Sequence, residues 1–234
     1  MHYGYDKRRY LRPAPTNTDT DTDTDSASPL TLPAVNIPLD TARATPEDLA
    51  MLREAFGPDS TPLGWDAVYA FESEHGIILP EPYRSFVATI SDGSHSGPPD
   101  YGLMELGALP PDWGAGRPER NLSKPFPLTR QWIWEGGDAP EPDADELAPV
   151  YDHGSLVLGT DGCGMYWHLI VTGEHRGHIY LIDEMAATPF GAEFGHTSGK
   201  PGFASWVKHW ADGKEWWDRQ EAPALSGLPD TEER

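Results

Sequence analysis

Four histidines stand within 26 residues, His153, His168, His175 and His178, with Asp152 and Asp183 close by in sequence. Imidazole and carboxylate are zinc ligands, so this set is the first candidate for chemistry. A zinc site needs three or four ligands converging on one point, with partners behind them that orient the rings. Neither HExxH nor any paired-ligand spacing is present, so the histidines read as strand and turn residues, and no metal or cofactor is expected. Cys163, in GTDGCGMYW, is the only thiol and a candidate nucleophile. A reactive cysteine needs a base and a lowered pKa, which a helix N-terminus often supplies. Cys163 falls instead in a hairpin turn, where a small residue is the plain reading. Ser94 and Ser155 lack a GxSxG setting. The glycines of 159–164 lead into a strand, not a helix, and so do not form a phosphate cradle. The carboxylate pairs Asp183 with Glu184 and Asp92 with Asp100 have the residue types a glycosidase uses, but nothing in the sequence sets their separation. The chain is therefore read as a non-enzyme.

What remains is charge and aromatic surface. The 234 residues carry 17 Lys and Arg against 38 Asp and Glu, a formal charge of −21. Residues 41–217 alone carry 11 basic and 27 acidic side chains, so the acidity belongs to the body and not only to the tails. Such a surface repels nucleic acid and anionic membranes and speeds encounter with cationic partners. Nine Trp and nine Tyr supply large rings. No apolar run approaches the roughly 20 residues needed to cross a bilayer. The basic opening MHYGYDKRRYLRPAP has no apolar stretch after it and does not read as a secretory signal. A single cysteine suits a reducing compartment, and these features together point to the cytoplasm.

The elements that must position such a surface follow from periodicity and punctuation. Residues 1–40 read as a disordered tail around the low-complexity TNTDTDTDTDSASP. Thr45-Pro46-Glu47-Asp48 is a helix start, with Leu49, Leu52 and Phe56 inward and a stop at Gly57-Pro58. A second helix over Trp65–His75 should present Trp65, Val68, Tyr69 and Phe71. A third carries Tyr83, Phe86, Val87 and Ile90 at i, i+3, i+4 and i+7 and ends at Asp92-Gly93. Tyr101–Leu106 is strand-like. The insert at about 109–149 reads as mostly irregular, with its acids in an exposed loop and only Thr129–Glu135 packed, as a short helix or an aromatic plug. Gly154–Thr160, Met165–Val171 and His178–Asp183 are strands joined by hairpin turns. Tyr166, His168 and Ile170 alternate with Trp167, Leu169 and Val171 on opposite faces. A last helix from Pro201 carries Phe203, Trp206, Val207 and Trp210, and 218–234 is a polar tail. The fold class is α+β: an antiparallel sheet packed against N-terminal helices, closed by a C-terminal helix, in one domain over 41–217.

The order of these elements, with Glu72, Gly76, Leu79-Pro80, Tyr83, Phe86 and Asp92-Gly93 at their joints, resembles the SMI1/KNR4 family of the SUKH superfamily. The Gly97-Pro98 bend, the Gly177-His178-Ile179-Tyr180 strand and the Phe203–Trp210 helix fit the same pattern. The chain departs from it in having Asp92-Gly93-Ser94 where Asn-Gly-Gly is common, and in its long insert. The resemblance implies a binding protein, in bacteria mostly an immunity protein that neutralises a secreted toxin. It implies in other members a scaffold for cell-wall or signalling machinery, and it brings no shared catalytic residues.

An inhibitor of a basic, nucleic-acid-cutting toxin would use carboxylates that steer association and aromatics that anchor it. Asp92, Asp100, Tyr101, Asp161, Glu174 and Asp183 lie at expected loops or strand ends that could border one face, and Trp113 and Trp134 are expected to be exposed in the insert. The expected partner is a cognate toxin or another cationic protein. A hydrolase built on the same fold stands last among the readings.

Overall fold

The computed structural model describes residues 43–113, 119–133, 144–191, 197 and 199–216. The tails expected over 1–40 and 218–234, and Trp134, lie outside the described residues.

Three helices come first: α1 (Pro46–Phe56), α2 (Trp65–His75) and α3 (Tyr83–Thr89). The Thr45 hydroxyl caps α1 by accepting from the Asp48 amide at 3.1 Å, which satisfies an orphan N–H of the first turn. Gly76, with φ 64°, ends α2 in the left-handed conformation that glycine adopts without steric cost. The next joint explains the Glu-to-Leu-Pro spacing. Glu72 is buried and its carboxylate accepts from the Leu79 amide at 2.8 Å and from Arg84 Nε and Nη2 at 2.7 and 2.8 Å. One side chain thus ties α2, the extended Ile77–Pro80 step and α3 together. The Glu72 hydrogen bond holds the Arg84 guanidinium above its ordinary pKa. Arg84 also lies over Trp65 and Tyr69, 5.6 and 5.4 Å from their ring centres. That stack leaves Tyr69 51% exposed, so it does not point inward as helix periodicity suggested.

One antiparallel sheet follows, in the order β1 (Trp132–Ile133), β5 (Ala186–Pro189), β4 (Ile179–Ile182), β3 (Met165–Ile170), β2 (Ser155–Gly162). The alternation along β3 is as expected from the sequence. Trp167, Leu169 and Ile179 join Leu52, Val68, Phe86 and, from the closing helix α5 (Phe203–Ala211), Phe203, Trp206 and Val207 in one core. Tyr166, Ile170, Tyr180 and Ile182 face the other way into a second core with Trp113, Phe126, Val150 and Tyr151.

That second core adds to the reading of the insert. Its described residues are mostly irregular, but they also contribute a helix, α4 (Ala144–Asp152), and a chain segment that covers the sheet. Buried aromatics on the second sheet face need a cover, and Phe126, Trp113 and α4 supply it. Within the packed piece expected over Thr129–Glu135, the described Trp132 and Ile133 form the short edge strand β1 against β5, and Trp132 packs on the second core. Ile133 is 51% exposed. The strand β5 had no β-branched signature beyond Thr188, and its Pro189 would have argued against a strand. The expected strand at Tyr101–Leu106 is instead an extended segment held by separate bonds, Leu103 O accepting from Ser94 N at 2.8 Å and Met104 N donating to Leu158 O at 2.7 Å. Gly102 takes φ 95°, outside the extended region of a strand, and interrupts any regular ladder there.

Candidate functional site

All five strands bring one end to the same side. The β2–β3 turn, the β4–β5 turn and the C-terminal end of β1 lie there, since Gly162 pairs with Met165, Ile182 with Ala187 and Ile133 with Ala186. The β2–β3 turn is a two-residue hairpin in which Cys163 (φ 53°) and Gly164 (φ 76°) both have positive φ, the geometry that matches strand twist. Cys163 is exposed in that turn and is explained by it.

Asp161 sits at this end of β2, within the second of two register shifts in its pairing with β3. Its Oδ2 accepts from Trp167 Nε1 at 2.7 Å and its Oδ1 from the Asp100 amide at 3.1 Å. Burial, and secondarily the Asp100 charge, raise its pKa above the ordinary carboxylate range in spite of those donors. The same contact fixes Asp100 beside it, and the segment approaches so closely that a Cβ on Gly159 would lie 2.5 Å from Pro99 and 2.6 Å from the Gly102 carbonyl. Tyr101 follows at 72% exposure, with its ring lying against Gly162. Asp183 caps the β4–β5 turn, its Oδ1 accepting from Met185 N and Ala186 N at 2.7 Å each.

Asp100, Tyr101, Asp161 and Asp183 are therefore brought to one end of the sheet. Glu174 is not: it lies in the β3–β4 connection at the opposite end. Asp92 takes a structural role at the end of α3, accepting from the Leu106 amide at 2.7 Å; burial and the Glu105 charge raise its pKa. Trp113, expected to be exposed, is only 6% exposed, its ring packed against Tyr166 at 4.8 Å and beneath the Arg120 guanidinium at 5.1 Å. An indole in the middle of a sheet cover buries too much apolar area to be left in water.

The histidines do not converge as a metal site would require. The register puts Tyr180, not His178, opposite His168. His175 and His178 approach each other instead, with ring centres 4.8 Å apart, and His175 Nδ1 meets the Tyr180 hydroxyl at 2.8 Å. Among the described residues no three His, Cys, Asp or Glu side chains group so as to hold a metal ion. Ser155 Oγ and His168 Nδ1 lie 2.9 Å apart, the reach of a nucleophile and its base. Both residues are fully buried, and Arg120 clamps the Ser155 hydroxyl and carbonyl at 3.1 and 2.6 Å. The pair is a structural clasp between β2, β3 and the sheet cover.

Sequence reasoning passed over Met185, an apolar residue 52% exposed in the β4–β5 turn. Its only sequence signal is a large apolar side chain directly after Asp183-Glu184, where turn chemistry would put a polar one. No helix among the described residues is long and apolar enough to cross a membrane. A model of the SMI1 / KNR4 family (SUKH-1) matches residues 65–200, more than half of the chain and including the Glu72 joint and the whole sheet. No curated protein and no solved structure matches it.

Proposed function

Because the chain belongs to the SMI1/KNR4 family (SUKH-1), we propose that it is a non-enzymatic protein-binding domain that acts as an immunity protein, neutralising a cognate cationic toxin. The observation that carries this reading is the pairing of Asp161 and Asp100 with Tyr101 at the open end of the sheet. The Asp161 carboxylate is held by the Asp100 amide and the Trp167 indole, so it needs little reordering when a partner arrives. Tyr101 offers a large, exposed ring of the kind that anchors interfaces. A body charge of this size adds long-range steering toward a basic partner. The lone cysteine suits a reducing compartment, and this reading puts the protein in the cytoplasm.

Co-expression tests this directly. The C-terminal domain of a toxin encoded beside this gene should arrest growth when produced alone, and co-production of the full chain should restore it. Growth that stays arrested with both proteins present and folded would remove the immunity reading.

A further inference from the structure

We infer that the partner docks along the whole rim formed by the strand ends, from Tyr101 past the β2–β3 hairpin to Met185 and Ile133, and that it is a cationic protein presenting apolar side chains between its basic ones. The inference rests on the binding role proposed above and names its surface. Five large apolar residues are exposed among those described, Tyr69, Tyr101, Leu109, Ile133 and Met185, and three of them lie on this rim. Tyr101 packs on Gly162 beyond β2. Met185 stands in the β4–β5 turn, and Ile133 pairs with its neighbour Ala186 at the far edge. The three are spread over a sheet five strands wide, about 19 Å at the usual strand spacing. A standard interface buries about 800 Å² per partner, a patch wide enough to reach all three.

Charge settles the kind of occupant. Between these apolar residues stand Asp100, Asp161, Asp183 and Glu184, and no Lys or Arg occurs in 99–103, 160–166, 182–187 or 132–133. A second copy of this chain would bring the same carboxylates into contact, which like-charge repulsion opposes. A purely basic surface would leave Tyr101, Met185 and Ile133 in water and gain nothing from them. A basic surface with apolar residues interleaved satisfies both sets at once. On the helical layer the exposed Tyr69 ring already carries a cation, the Arg84 guanidinium, 5.4 Å from its centre.

Binding of the purified adjacent toxin domain to variants of the full chain tests the rim. Tyr101→Ala with Met185→Ser and Ile133→Ser should weaken the complex about 100-fold, as loss of several anchors does. Tyr69→Ser and Leu109→Ser, which remove the two exposed apolar residues elsewhere, should change it less than about threefold, the size of an energetically neutral contact. If the rim variant binds as wild type does, the rim is not the interface, although growth rescue by the wild-type chain would leave the immunity role intact. A partner-independent arm uses the isotope-labelled chain titrated with a synthetic Lys/Leu peptide and with oligolysine of equal charge. Resonance shifts concentrated at 100–101, 161–165 and 183–186, with tighter binding of the Lys/Leu peptide, support the rim. Shifts centred on the helices, or equal binding of both peptides, overturn it.

Discussion

Glu72 shows how much a single carboxylate can organise. Its three donors come from an extended step and a following helix, so removing it strands the Leu79 amide and the Arg84 charge in a largely water-free joint. Glu72→Ala should destabilise the domain by about 3 kcal/mol, the lower end for breaking a buried pair, since Arg84 keeps some contact with solvent. Urea denaturation would read this as a lower midpoint, and an unchanged midpoint would contradict the role given to Glu72. Asp161 makes the opposite kind of prediction. Its pKa in the folded chain lies above the ordinary value of 3.8, so the folded form holds its proton more tightly than the unfolded one. Wild type should therefore gain stability over Asp161→Asn as the pH falls through the folded pKa toward 3.8, and lose that advantage as the pH rises. Denaturation curves of both proteins across mildly acidic pH check the sign. Neither behaviour could be read from residue type, because burial alone distinguishes these acids from solvated ones such as Glu174.

At the scale of elements, the helices were legible because their signals are local. Thr45, Gly76 and the Tyr83, Phe86, Val87 stripe act within one or two turns, and α1, α2, α3 and α5 form where those signals put them. The hairpin of β2 and β3 was legible for the same reason. The cover of the second sheet face was not, since what holds Trp113, Phe126 and α4 in place is contact with Tyr166, Ile170 and Tyr180, from 15 (Tyr151 to Tyr166) to 67 (Trp113 to Tyr180) residues away in sequence. Composition saw acids and prolines and gave no sign of the helix and the cover that long-range packing adds. Trp113→Ala should accordingly cost about 3–4 kcal/mol, as for a buried aromatic, and should expose the ring of Tyr166. Loss of stability without any change in the helical core's hydrogen-exchange protection would place the damage in this layer. A variant as stable as wild type would show that the cover is dispensable.

For the whole molecule, charge sets the kinetics of encounter. A body with 27 acidic and 11 basic side chains should bind a basic partner with an on-rate that falls several-fold between low and physiological salt, while the off-rate changes little. Stopped-flow mixing at two ionic strengths measures this, and an on-rate indifferent to salt would remove the electrostatic part of the proposal. The candidate face was half legible: Asp100, Tyr101, Asp161 and Asp183 were named from loop positions, but only the strand register shows that they share an end and that Glu174 does not. Met185 and Ile133 escaped notice, because a Met after two acids is a faint signal and nothing local marks an Ile as exposed. The β2–β3 hairpin tip has a practical consequence as well. Its Cys163 is the sole thiol of the chain, it is exposed, and it stands between Tyr101 and the β4–β5 turn. A maleimide dye placed there labels one position without any engineering, and its emission would report, in real time, the arrival of whatever sits down beside it.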